Sequence, residues 1–151
     1  MDVPITNEEI TMLKKIALIT AATVLCTANA YALRCNDMDI VIKNNSSDPW
    51  NVVVQNKHGY VKAKGNPVLA KGETSTIETK GYFWFYGPDA VVTLKNGDRT
   101  ETVRAQQNRC VFEAGNINSY SDPAKFVRHQ KDEVGSFADS RQGKTYYTIE
   151  D

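Results

Sequence analysis

Five consecutive aromatic side chains, Tyr82-Phe83-Trp84-Phe85-Tyr86, are the most distinctive chemistry in the sequence. In an extended strand, neighbours alternate faces, so Phe83 and Phe85 share one side and Tyr82, Trp84 and Tyr86 the other. The phenylalanines carry no polar atom and belong in a core. Every ring of the second set has a polar handle. Such a row can stack on sugar faces, grip a peptide or protein, or sit at a lipid interface. The competing reading is a central strand buried on both faces. Trp50 follows Pro49 at a strand start, where it either caps the core or extends the same binding rim. Tyr60 opens a further extended segment and joins the candidate ligand contacts.

Other chemistry is sparse. The sequence has no G-x-S-x-G elbow, no H-E-x-x-H helix and no phosphate-cradling glycine loop. No catalytic residue is therefore assigned, although acids such as Glu101 and Glu113 can meet only through the fold. His58 and His129 lack a ligand partner at i+2 or i+4, and the Asp37/Asp39 pair lacks a dense oxygen-ligand loop. Neither a metal nor any other cofactor is expected. Tyr60, Lys62 and Lys64 share a strand face and resemble a single-strand nucleic-acid platform. Balanced charge, 18 Lys plus Arg against 18 Asp plus Glu, argues against a nucleic-acid partner.

The elements that must position these groups begin after an export signal. Lys14 and Lys15 precede the mostly apolar run Ile16 to Cys26, and Ala28-Asn29-Ala30 and Ala30-Tyr31-Ala32 are cleavage patterns. Residues 12–32 thus read as a signal peptide, too short for a membrane span. Residues 1–11 carry Asp2, Glu8 and Glu9 and read as an upstream over-call or leader. Leu25 before Cys26 does not suit a lipid-attachment site. Removing 32 of the 151 residues leaves 119. The two lysines and three acids that leave with them turn the balance into 16 against 15, about +1. The product is expected in the periplasm or outside the cell.

Cysteine usage then becomes even. Cys35 and Cys110 remain, and an exported pair reads as one disulfide closing a loop of 76 residues. The chain-entropy model gives roughly 4–5 kcal/mol for such a loop.

Residues 33–151 read as one domain of short strands. Asp39 to Lys43 and Trp50 to Gln55 are rich in Ile and Val and flank the turn-forming run Asn44 to Pro49. Tyr60 to Lys64, Glu73 to Thr79 and Thr145 to Glu150 are further strands, and Cys110 to Glu113 is a short one. Ala90 to Lys95 and Arg99 to Arg104 flank Asn96-Gly97, which predicts a type I′ hairpin. Residues 121–135 read differently. Ser121 or Asp122 suits a helix N-cap, Pro123 its first turn, and Gly135 its end, with Phe126, Gln130 and Val134 at i, i+4, i+8.

The stretch from Val41 to Ile77, "VIKNNSSDPWNVVV" followed by "LAKGETSTI", resembles the opening hairpins of thaumatin-like and aegerolysin sandwiches. It contains no diagnostic motif, and the cysteine-rich thaumatin pattern is missing. The resemblance implies a β-sandwich and carries no functional residue across.

The expected fold is therefore all-β, an antiparallel sandwich of about seven to nine strands with one short C-terminal helix. The expected function is an exported, non-catalytic binding module. Its ligand, a glycan, peptide or protein, would contact Tyr82, Trp84, Tyr86, Trp50 and Tyr60. The alternative is a membrane-active secreted factor with interfacial aromatics. A small hydrolase or enzyme inhibitor is the third reading.

Overall fold

A computed structural model describes residues 36–82, 87–108, 110, 115–136, 138–139 and 141–151. Ten strands run in chain order: β1 (Asp37–Asn44), β2 (Trp50–His58), β3 (Tyr60–Ala63), β4 (Val68–Leu69), β5 (Thr74–Lys80), β6 (Asp89–Asn96), β7 (Arg99–Gln107), β8 (Ile117–Asp122), β9 (Val127–Glu133) and β10 (Gly143–Ile149). They form two five-stranded sheets, β3-β5-β1-β10-β9 and β4-β2-β6-β7-β8. All pairings are antiparallel except β1 with β10, which is parallel with Met38 opposite Gly143 and Asn44 opposite Ile149.

The alternation read from the sequence is what fills the space between the sheets. Met38, Ile40 and Ile42 of β1 point inward with Ile77, Tyr147 and Ile149 from the same sheet. Trp50, Val52, Val92, Leu94, Val103 and Ala105 face them from the other. Shifting any strand by one residue would expose its apolar set, so the register is strongly specified.

The 90–104 hairpin forms with a shifted turn. Asn96 stays in the ladder opposite Arg99, leaving Gly97-Asp98 as the two turn residues. Only Gly97 has positive φ, at 57°. The turn is therefore not type I′, which requires positive φ at both positions.

The helix expected over 121–135 is not formed. β8 runs to Asp122, Ala124 takes a φ of 60°, and β9 begins at Val127. Left-handed backbone at Ala124 is incompatible with a continuing right-handed helix. The apolar stripe was also too thin to hold one. Phe126 is half-buried, but Gln130 and Val134 face solvent. Among the described residues there is no helix, and strand count exceeds the expectation because β4, β8 and β9 gave weak patterns.

An irregularity in β9 reshapes both of its faces. Tyr146 of β10 pairs with Lys131, and Tyr147 pairs with His129, so Gln130 is an extra residue. Such a bulge breaks the alternation of side chains. In a regular strand, residues three apart point to opposite faces. Here His129 and Asp132 turn to the same side, toward β8.

Candidate functional site

Tyr60 and Tyr82 form the exposed tyrosine end of the molecule. Tyr60 starts β3 opposite Lys80, and Tyr82 lies two positions beyond Lys80. Their exposures are 47% and 56%. Gly59 lets the chain turn tightly between β2 and β3. It has a φ of 78°, and a side chain there would run into the Lys80 carbonyl oxygen. Next to the tyrosines, Lys80 approaches Asp37 at 3.9 Å, and Lys62 pairs with Glu78 at 3.1 Å. The Gly81 amide donates to the Asn36 carbonyl at 2.9 Å, which ties the segment carrying Tyr82 to the start of β1. Trp84 and Tyr86, with the rest of the aromatic run, lie outside the described residues.

Trp50 does not join this surface. It is fully buried, and its indole nitrogen donates to Ser46 Oγ at 3.0 Å. Ser46 is itself held by Asn44, whose Oδ1 accepts from the Ser46 amide and hydroxyl. The Asn44 amide donates to the Asp48 and Leu69 carbonyls at 2.8 and 2.9 Å. The run of turn residues is thus a hydrogen-bonded plug over the tryptophan. Phe126 packs at 5.9 Å from its ring, and Arg99 lies over Phe126. Buried Glu101 accepts from the Lys125 and Phe126 amides, fixing the β8–β9 connection.

Cys110 is buried, and its amide donates to Asn36 Oδ1 at 2.9 Å. Cys35, the other half of the expected bridge, lies outside the described residues.

The fold also assembles a serine, a histidine and an aspartate that sequence spacing did not reveal. Ser119 Oγ on β8 lies 2.9 Å from His129 Nε2 and 2.9 Å from Asp132 Oδ2. His129 Nε2 is also 2.9 Å from Asp132 Oδ1. A hydrolytic triad needs one imidazole nitrogen for the serine and the other for the acid. Here both partners compete for Nε2. The serine hydroxyl donates to Asp132, and serine and acid both meet the ring at Nε2, so the two-sided arrangement of a triad is not present. The cluster clasps the edge of one sheet to the edge of the other. The only sequence clue to it would have been a bulged strand at 127–133.

Burial shapes two nearby groups. Tyr147 is pushed up to about 12, first by desolvation. Its hydroxyl donates to the Arg104 carbonyl at 3.0 Å. Asp39 sits above the usual carboxylate range because of burial, opposed by Lys144 and by a hydrogen bond from Gln142. On the other sheet, Arg104 makes a bidentate pair with buried Asp89 at 2.8 and 2.6 Å. Among the described residues, no three His, Cys, Asp or Glu side chains converge as a metal site.

No protein-family model matches the sequence, and no curated protein is significantly similar to it. Solved structures do share the fold. The lipid-binding protein Nakanori superposes with a TM-score of 0.55 at 7% identity, covering 74% of this chain and 69% of its own. IP-1A from Alcaligenes faecalis superposes with a TM-score of 0.53 at 10% identity, covering 80% of this chain and 96% of its own. The architecture is that of a small two-sheet β-sandwich, and identities this low establish the fold alone.

Proposed function

We propose that this chain is an exported, non-catalytic binding module whose ligand contact lies at the tyrosine end. The observation that carries the reading is the exposure of Tyr60 and Tyr82 at one end of a folded sandwich. Large aromatic side chains left half in water contribute contact area at low entropic cost. Trp84 and Tyr86, which the period-two alternation of an extended run groups with Tyr82, are included in the proposal on the sequence alone. Trp50 acts from beneath, as a structural residue. The signal-like segment over 12–32 supports export to the periplasm or beyond. Burial of Cys110 beside Asn36, the chain neighbour of Cys35, supports the single disulfide.

A second reading makes the ligand a lipid surface, with the same aromatics as interfacial anchors. Its support is the shared fold with a lipid-binding protein. One experiment separates the two. The protein and its Tyr60→Ala and Tyr82→Ala variants are tested against a panel of neutral glycans and against phosphatidylcholine vesicles, with and without phosphatidylglycerol. Glycan binding that weakens in both variants supports the module reading. Vesicle co-sedimentation that weakens in both supports the lipid reading. Binding unchanged by either substitution removes the tyrosine end from function.

A further inference from the structure

On the outer face of the β5-β1-β10-β9 sheet, far along the strands from Tyr60, lies a depression of about 410 Å³. That is within the range of ligand clefts, about 300–1,000 Å³. Register arranges its lining and the positions beside it in two rows. One row is Thr74, Lys43 and Thr148, continued across β9 by Arg128. The next is Thr76, Val41, Tyr146 and Lys131. The bulge at Gln130 adds that amide to the same rim. Two cations, Lys43 and Lys131, thus flank a floor formed by the Tyr146 ring, Val41 and two threonine hydroxyls, with Arg128 next to it in register.

The floor is held in place before any ligand arrives. The Tyr146 hydroxyl donates to Glu133 Oε2 at 3.2 Å, and Lys131 pairs with Glu133 Oε1 at 2.6 Å. Lys131 Nζ lies 4.6 Å from the Tyr146 ring centroid. Arg128 is paired with Glu150 at 3.3 Å, whereas Lys43 has no carboxylate partner among the described residues. Uncommitted Lys43 and exposed Lys131, against the single carboxylate of Glu133, leave a net positive rim.

The geometry points to a subsite for an acidic glycan, a sugar ring bearing a sulfate ester or carboxylate. Val41 and Tyr146 offer the apolar contact that the C–H face of a pyranose needs. Thr74, Thr148 and Gln130 match ring hydroxyls. Lys43, with Lys131, receives the anionic substituent. A bilayer fits less well. None of the exposed large apolar side chains among the described residues lines the depression, so nothing beside it would enter hydrocarbon. The site is separate from the tyrosine end and does not depend on that reading.

Isothermal titration with a heparin-derived tetrasaccharide, and with cellotetraose as the neutral control, tests the assignment. The sulfated sugar binds, the neutral one does not, and affinity falls with added salt. Lys43→Gln and Lys131→Gln each weaken binding about fivefold, the worth of one exposed ion pair. Tyr146→Ala abolishes it, while Tyr146→Phe, which keeps the ring, retains it. Tyr60→Ala and Tyr82→Ala leave it unchanged, so failure of the tyrosine surface and failure of this subsite are distinguishable. Circular dichroism melts confirm that each variant is folded. Equal binding of both sugars, no binding, or indifference to the lysine substitutions overturns the proposal. So does binding confined to phosphatidylglycerol vesicles.

Discussion

Trp50 and Tyr60 each open a strand directly after a turn residue, Pro49 and Gly59, and they end in opposite environments. Trp50 is fully buried, while Tyr60 stays about half exposed. Local sequence does not separate them. What differs is what lies across from each. Trp50 begins a strand one position from the sheet edge and faces the opposite sheet, with Phe126 and the Asn44–Ser46 plug closing over it. Tyr60 begins an edge strand and looks outward beside Lys80. The same residue class is a keystone in one place and an open contact surface in the other.

The sharpest way to break this contrast is Trp50→Ala. Loss of a buried tryptophan costs about 3–5 kcal/mol, and it also removes the indole donor to Ser46 Oγ. Urea denaturation should show that loss; a change below about 1 kcal/mol would mean the residue is not core. Next in size is Glu101→Ala. It removes the acceptor shared by the Lys125 and Phe126 amides. A drop of about 2–3 kcal/mol is expected, with loosening of Phe126 over Trp50 visible in tryptophan fluorescence.

The third test uses pH. Tyr147 titrates at about 12 in the fold, against about 10 for an unfolded tyrosine. The folded value is raised, so its contribution is fully present below about pH 10 and is lost as pH rises through about 12. Melting temperature should therefore fall across that window in the wild type and fall less in Tyr147→Phe. Equal slopes would indicate that the ring is hydrated. The smallest effect belongs to the exposed partner in the comparison. Tyr60→Ala and Tyr82→Ala should change stability by no more than about 0.5 kcal/mol, as surface substitutions do. A larger destabilisation by chemical denaturation would assign these tyrosines to packing and end their claim to a ligand.

Much of the fold was legible in the chain. The Ile/Val alternation of Asp39 to Lys43, the threonine-rich 73–79 segment and the hairpin over 90–104 all stand as strands. Residues 121–135 did not read correctly, for a specific reason. β9 is an edge strand with Arg128, Gln130 and Lys131 in water, so it shows little period-two pattern. Its bulge then interrupts what remains. A short charged edge strand also discourages sheet-to-sheet association, which favours this composition over a more recognisable one. Of the candidate contacts, Tyr60 and Tyr82 face solvent, while Trp50 belongs to the core.

The sequence by itself determined where strands form and where most turns fall. Backbone preferences and side-chain alternation act over a few residues and need no distant partner. Only the tertiary structure decided that β10 pairs in parallel with β1, an arrangement that no hairpin signal can announce. It also decided that Trp50 is sealed, that Ser119, His129 and Asp132 converge, and that Lys131 lies over Tyr146 beside Lys43 at one depression. Those outcomes depend on which side chains face one another across sheets and along register, distances that are long in sequence and short only in the folded chain.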